Sequence, residues 1–334
     1  MKVAIAKEHV VCAGCGADDA APVATGREHE YESTTSDEFT FVQCRRCALV
    51  YLDPRPAESE LGTIYPADYY AYQLVERRAA TGGGSPSLLG RYMRGRAVAR
   101  LRPYVDRLRA AGPPPYRVLD VGCGDGSTLD LWQEAFAGDA RTHGIEMDPR
   151  AAAIAAERGH LVTSSRIEDA SLAPGSFDLV YASHVIEHVP DPAGFLATIH
   201  RALSERGIVV IDTPNFDTLD RRIFGRRHWG AYHFPRHFFI FDAKTFGGFA
   251  ARASFEVVET RYFPSAVMWV WTFHSMLAER SRGLADRLFP PVDVFLSGSP
   301  WNVALMSAFT SLDLALIAGT GRSSNLRLLL QKQR

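Results

Sequence analysis

The chain has 334 residues, 46% of them hydrophobic and 22% charged, with a formal net charge of −1. That length and apolar content suffice for a large core divided over about two domains. The near-zero charge removes any bulk electrostatic reason to bind nucleic acid and leaves local basic clusters as the source of anion affinity. Residues 1–11 lack the uninterrupted apolar run and small-residue cleavage site of a signal peptide. Five cysteines, four of them in two close pairs, suit metal-held thiolates in a reducing compartment better than disulfides, so a cytoplasmic location is expected.

Cys12-x-x-Cys15 and Cys44-x-x-Cys47 are the first residues that carry chemistry. Each two-residue gap lets a tight turn present both sulfurs to one ion, and four thiolates make a closed structural zinc site with no position left for catalysis. The 28 residues between the pairs exceed the commonest zinc-ribbon spacing, so a redox pair, a disulfide pair and incidental cysteines stand as rival readings. Residues 38–43 alternate as a strand leading into the second pair. The tyrosine-rich residues 64–72 either close over a substrate or pack a small domain onto a larger one. Residues 81–87, Thr-Gly-Gly-Gly-Ser-Pro-Ser, read as a flexible linker and set the first boundary, giving a zinc-binding domain at 1–80.

An amphipathic helix is predicted at 88–110, with Leu89, Tyr92, Met93, Val98, Leu101, Val105 and Leu108 on one side. Its other side carries Arg91, Arg94, Arg96, Arg100, Arg102, Arg107 and Arg109, either a solvated face or an anion-binding surface. After Gly112-Pro113-Pro114-Pro115, apolar runs at 117–121, 142–146, 160–163, 177–181 and 207–212 alternate with helical stretches such as 149–158 and 192–203. Such alternation predicts an α/β fold, a parallel sheet with helices on both faces. Residues 255–260 supply a sixth strand and 325–332 a seventh, so the core covers 81–264 and resumes at 321–334. Between them, residues 265–320 form an apolar, helix-like insertion containing Trp269, Trp271 and Phe273, too long for a hairpin loop. Neither of its apolar runs, 265–278 and 303–318, reaches the ~20 residues a membrane span needs. The insertion is expected to cap the active site or form a homodimer contact, with shallow bilayer insertion or a tunnel for a lipid-like acceptor as the other readings.

The most informative stretch is Val118-Leu119-Asp120-Val121-Gly122-Cys123-Gly124-Asp125-Gly126. An apolar strand runs into a turn whose glycines let the backbone approach a ligand, and a helix starting near Ser127 aims its free N–H groups there. Glu146 ends the next apolar strand, ahead of Met147, where a carboxylate can accept hydrogen bonds from both hydroxyls of a ribose. The dinucleotide fingerprint fails, because the positions that would need glycine are Ser127 and Leu129. The pattern is DxGxGxG. Together with Ile167-Glu168-Asp169-Ala170 and Ser183-His184-Val185-Ile186-Glu187-His188-Val189 it resembles the class I S-adenosylmethionine-dependent methyltransferases over about 115–260 and the last strand.

That resemblance implies a seven-stranded Rossmann-like sheet closed by an antiparallel strand at 325–332, beside a zinc-ribbon-like N-terminal domain. It implies S-adenosyl-L-methionine as cofactor, held at Asp120, Gly122, Gly124, Gly126, Glu146, Met147, Ile167, Glu168, Ser183 and His184. Asp120 would lie near the methionine moiety, Ile167 and Glu168 beside the adenine, and Ser183 and His184 before the methyl group.

Residues 226–241 contain His228, Tyr232, His233 and His237 and look like segments of ubiquinone-type O-methyltransferases and zinc-containing sugar methyltransferases. Histidines offer a general base near neutral pH, whereas this spacing is not a standard metal-ligand pattern. His237 is expected as base or substrate clamp, with Tyr232 and His233 next, and His188 as a brace for the helix after strand four or as a direct participant. Arg221, Arg222, Arg226 and Arg227 suit an anionic acceptor such as a nucleotide- or phosphate-linked group. The expected function is therefore methyl transfer to a small or carrier-linked metabolite, a sugar-nucleotide or natural-product intermediate, without nucleic acid as partner. Two other readings are O-methylation of an isoprenoid or quinone-like lipid through peripheral membrane contact, and a zinc-ribbon binding protein with a non-catalytic methyltransferase-like scaffold.

Overall fold

In the computed structural model, which describes residues 4–31, 33–80, 88–296 and 298–333, the alternation of apolar runs folds around one seven-stranded sheet. The expected linker at 81–87 lies outside the described residues. The N-terminal part comprises β1 (Lys7–Glu8), β2 (Ala20–Arg27), β3 (Glu38–Cys44), β4 (Val50–Leu52), β5 (Arg55–Pro56), α1 (Leu61–Ile64) and α2 (Tyr70–Ala80). A long helix, α3 (Leu88–Ala111), leads into the alternating core. That core runs β6 (Tyr116–Val121), α4 (Ser127–Ala135), β7 (Ala140–Glu146), α5 (Pro149–Glu157), β8 (Leu161–Ser164), β9 (Phe177–Ser183), α6 (Pro192–Ala202) and β10 (Leu203–Pro214). Next come α7 (Leu219–Phe224), β11 (Phe239–Ile240), α8 (Ala243–Arg252) and β12 (Phe255–Phe263). The insertion holds α9 (Ala266–Ala278), α10 (Arg282–Leu288), α11 (Val292–Phe295) and α12 (Pro300–Thr320), and β13 (Asn325–Lys332) closes the chain.

The sheet order is β12-β13-β10-β9-β6-β7-β8, parallel from β10 to β8, with β13 antiparallel to both of its neighbours. Strands covered on both faces must be apolar throughout, and Leu179, Val180, Ala182 and residues 208–211 are fully buried. Chain order reverses between β6 and β9, which makes the carboxyl ends of β6, β7 and β9 the place where a ligand crevice opens. On the far side, Arg327 of β13 grips Asp212 of β10 through two hydrogen bonds of 2.6 and 2.7 Å, and the Tyr181 hydroxyl of β9 donates to the same carboxylate at 2.8 Å.

The small sheet is built differently from a bead on a linker. Its order is β11-β4-β3-β2, so the fourth strand, Phe239–Ile240, comes from beyond β10 of the core. Arg236 locks that arrangement. Its fully buried guanidinium donates to the Ile64 carbonyl at 2.7 Å, pairs with Glu28, and lies 4.6 Å from the Tyr31 ring centroid. The two parts therefore share strands and a buried ion pair across the boundary placed at residue 80.

Two helices depart from expectation. Val98, Leu101, Val105 and Leu108 of α3 are buried as predicted, but Tyr92 and Met93 are each 59% exposed, because residues 91–96 continue past the surface on which the helix packs. The α12 helix runs 21 residues, beyond the predicted 303–318, and is long and apolar enough to cross a membrane by length and composition. Ser299 caps its start by accepting from the Asn302 amide, and Gly321 ends it at φ 71°.

Removing one partner from a buried ion pair strands the other charge, at a cost of about 3–5 kcal/mol. Arg327→Met should therefore lower the urea midpoint of unfolding by a corresponding amount. A midpoint unchanged from wild type would show that the Arg327–Asp212 contact does not hold β13 in place.

Candidate functional site

The turn after β6 is glycine-rich for a steric reason. Gly122, Gly124 and Gly126 sit at φ of 74°, 54° and 79°, where side-chain-bearing residues rarely go. A Cβ on Gly122 would also come within 2.8 Å of Val185 Cγ2, and one on Gly144 would strike the Cys123 sulfur. With turn and β7 that close, the Gly124 amide donates to Glu146 Oε2 at 2.8 Å and the Asp148 amide to Oε1 at 2.9 Å. Burial pushes the Glu146 pKa upward and these amides act against it. Each oxygen keeps acceptor capacity beyond its one amide.

A cavity of about 400 Å³, a normal size for a small-molecule site, opens along these strand ends. Gly122, Gly124, Glu146, Met147, Ile167, Glu168, Ser183 and His184 all line it. The opposite wall is Tyr65, Tyr69, Tyr70 and Tyr72, the residues whose role the sequence left open. They pack against one another, Tyr69 lying edge-on to Tyr65 at 5.1 Å and to Tyr72 at 5.5 Å. The Tyr70 amide donates to the Tyr31 hydroxyl at 2.8 Å, and Arg150 of α5 pairs with Glu76 of α2 at 2.7 Å, so the aromatic wall is fastened at both ends.

Histidine chemistry enters where β9 ends. His184 takes a left-handed backbone, φ 55°, and its Nδ1 lies 2.9 Å from Glu187 Oε1. Glu187 is fully buried and its other oxygen accepts from the Thr213 hydroxyl at 3.1 Å. Burial works against the carboxylate, yet the hydrogen bond and charge of His184 hold its pKa down at about 2. Reciprocally, burial opposes protonation of His184, and the Glu187 partnership outweighs it and raises the imidazole above 6.5. His188 also lines the cavity, its Nδ1 2.9 Å from the Tyr65 hydroxyl and 3.1 Å from the Arg236 carbonyl. Behind it stands His237, ring edge-on at 4.6 Å, its Nδ1 2.7 Å from the Ala231 carbonyl, an acceptor that places the proton on that nitrogen. Glu187, His188 and His237 bring one ligand atom each within 4.8 Å of one another and could hold a divalent cation.

The remaining predicted residues are placed elsewhere. His237, His233 and Tyr232 are 2%, 3% and 1% exposed, and none lines the cavity. The Tyr232 hydroxyl donates to the Gly225 carbonyl at 2.6 Å and its ring stacks on Phe41. His233 stacks on Trp271 at 4.4 Å, and burial lowers its pKa well below that of an ordinary histidine, as it does for His237. The physical reason is β11: once Phe239–Ile240 joins the small sheet, the residues before it become interface core. Asp120 is buried under the turn, its pKa raised by burial and by the Glu146 and Asp212 carboxylates, and Gly126 faces His160 and Ala155. Arg221, Arg222, Arg226 and Arg227 also lie outside the cavity, Arg222 paired with Asp217 and Arg227 with Glu279.

The four N-terminal cysteines do converge. Cys12 and Cys47 sulfurs are 3.4 Å apart, Cys15 and Cys44 sulfurs 3.5 Å, and all four fall within 4.8 Å of one another. Four sulfurs on a tetrahedral zinc at ~2.3 Å stand about 3.8 Å apart, so the donor set fits that ion. The first knuckle is a tight turn in which the Cys15 and Gly16 amides both donate to the Cys12 carbonyl, at 3.2 and 2.8 Å.

A family profile described as "Methyltransferase domain" matches residues 90–260. The ubiquinone biosynthesis O-methyltransferase of Thiobacillus denitrificans is 37% identical over 126 residues, 35% of this chain and 50% of that protein. The trans-aconitate 2-methyltransferase of Acidovorax ebreus is 32% identical over 126 residues, 36% of this chain and 47% of that protein. The chain thus spans about half the length of the curated relatives it matches. Among solved structures, an S-adenosylmethionine-dependent methyltransferase from Archaeoglobus fulgidus superposes with a TM-score of 0.45 at 20% identity, over 72% of this chain and 94% of that one.

The His184–Glu187 geometry makes a prediction with a definite sign. In Glu187→Gln the hydrogen bond and charge that raise His184 most are gone, leaving burial opposed by the smaller effect of Asp212, so the His184 midpoint followed by proton NMR should fall. An unchanged midpoint would mean that the carboxylate does not control the ring. With the profile covering just over half of its residues, and a seven-stranded sheet whose strand ends form the cavity, the chain belongs to the methyltransferase-domain family.

Proposed function

We propose that this chain transfers the methyl group of S-adenosylmethionine to a hydroxyl of a small acceptor held between the strand ends and the tyrosine wall, with His184 as the base. The observation that carries this reading is that His184, held from behind by the buried Glu187, opens onto the same cavity as the Gly122–Gly124 turn and the amide-held Glu146. When bound, the cofactor supplies a methyl group activated on a sulfonium, so what the protein must add is alignment and proton removal. Glu146, fixed by two amides, is set to accept from both ribose hydroxyls. Ile167 and Glu168 line the same cavity and would hold the adenine.

His184 takes the acceptor proton on Nε2, since Nδ1 is committed to Glu187. The Glu187 carboxylate stays ionised and stabilises the imidazolium that forms. His188, beside the Tyr65 hydroxyl, positions the acceptor. An aromatic wall, with Arg221, Arg222, Arg226 and Arg227 outside the cavity and Arg166 at its edge paired with Glu58 and Glu168, favours a flat, weakly polar hydroxyl acceptor over the nucleotide-linked sugar expected from the sequence. The name of one relative, an O-methyltransferase of ubiquinone biosynthesis, supports the same choice. Cys12, Cys15, Cys44 and Cys47 are assigned to a structural zinc that pins the start of the small sheet and leaves no open position for chemistry.

The direct test is incubation with methyl-labelled cofactor and fractionated phenolic and alcoholic metabolites, followed by identification of the labelled product. An O-methylated product is expected. His184→Ala should cut turnover by about a hundredfold or more with cofactor affinity unchanged. The acid limb of the rate profile should move to lower pH in Glu187→Gln, following the lowered His184 midpoint. Wild-type turnover in His184→Ala removes the base, and a labelled carbon or nitrogen removes the hydroxyl acceptor.

A further inference from the structure

We propose that α12, with the helix ends around it, docks this protein onto an anionic lipid bilayer and lies in the plane of its surface. This goes beyond the methyl-transfer reading and does not depend on it.

Only 11% of the most apolar 18-residue stretch of α12 is buried. Trp301, Val303, Leu312 and Leu314 are 51%, 52%, 40% and 54% exposed. At about 100° per residue these positions point to nearly opposite sides of the helix, so far more than a stripe is bare. The sole charged residue of residues 300–320 is Asp313, and it is fully buried, accepting from the Ser265 amide and the Trp269 indole at 2.6 and 2.9 Å. The water-facing circumference therefore carries no charge, which is costly in water and natural among lipid headgroups and acyl chains.

The surroundings supply the complementary charge. An aromatic stack joins α7, α9, the end of α10 and α12: Phe273 lies 5.7 Å from Phe224, 5.1 Å from Phe289 and 5.7 Å from Phe309. On these joined elements and the turns beside them, Arg226, Arg280 and Arg287 are exposed and, among the described residues, form no ion pair. Basic side chains around an apolar helix fit a negatively charged membrane surface. A second copy of the chain, packing along one stripe, would leave much of the bare arc in water and bring these arginines toward one another. Crossing the bilayer is not the geometry, because Asp313 and the Phe309–Trp269 stack fasten α12 to α9, and β13 enters the core sheet from residue 325.

The tryptophans provide a reporter. Trp132, Trp229, Trp269 and Trp271 are at most 6% exposed, so only Trp301 is within reach of lipid. The full chain is floated with vesicles of phosphatidylcholine containing about one-third phosphatidylglycerol, and with pure phosphatidylcholine. Flotation with the anionic vesicles, weakened by salt, and quenching of tryptophan emission by brominated acyl chains are expected. The double change Leu312→Glu and Leu314→Glu should lower the bound fraction about fivefold or more with the melting temperature unchanged, and Trp301→Phe should abolish quenching and keep flotation. Absence of flotation with both vesicles overturns the proposal. So does a dimer that fails to bind vesicles and is dissociated by the Leu312→Glu and Leu314→Glu changes, which would assign this face to a second copy.

Discussion

Two backbone amides, those of Gly124 and Asp148, converge on the Glu146 carboxylate, and the rest of the site is arranged around that contact. It exists because glycines at positive φ let the turn after β6 fold close to the end of β7, where Gly144 leaves room for the Cys123 sulfur. Charged acceptors fixed by main-chain donors hold their direction without side-chain freedom to lose. From there the geometry propagates along the sheet edge: β9 stands next to β6, so Ser183 and His184 arrive on the same wall, and the buried Glu187 orients the His184 ring. A ligand entering the cavity meets the prearranged acceptors and His184 along the strand ends and the tyrosines across from them.

The opposite wall depends on a second constraint, the burial of Arg236. A fully buried guanidinium is tolerable only when its charge is answered, and Glu28 with the Tyr31 ring and the Ile64 carbonyl answers it. Because those partners belong to the N-terminal part and Arg236 follows the core strand β10, the ion pair welds the two. The tyrosines of residues 65–72 are thereby set over the strand ends, and His188 takes its place between Tyr65 and the Arg236 carbonyl. Cysteines far from the cavity contribute through the same sheet, since β3 ends in Cys44 and pairs with β4, which in turn pairs with β11.

Much of this was legible in the residues. The inner parallel strands are buried on both faces and read as continuous apolar runs, while the edge and antiparallel strands carry shorter apolar runs of their own, so all seven were visible, and positive-φ glycines announce themselves by spacing. Eight of the predicted cofactor-contact residues line the cavity because they sit at strand ends, whose position follows from the alternation itself. Tyr232, His233 and His237 were misplaced because nearness to β10 in sequence suggested nearness to the pocket. The Phe238-Phe239-Ile240-Phe241 run was a strand signal that could have warned of the pairing with β4, but its partner lies nearly two hundred residues away. The His184–Glu187 partnership needed a left-handed residue at His184, which periodicity does not reveal. Likewise Tyr92 and Met93 fit the apolar side of α3, and only the extent of the surface beneath decides that they stay in solvent.

The central claim is that these strand ends hold an adenosyl ligand through Glu146, and calorimetric titration with S-adenosylhomocysteine tests it most directly. The account predicts one ligand per chain in the wild-type protein, with affinity reduced about tenfold or more in Glu146→Ala, the scale of hydrogen bonds to a charged acceptor. No heat of binding, or an affinity indifferent to Glu146→Ala, would contradict it.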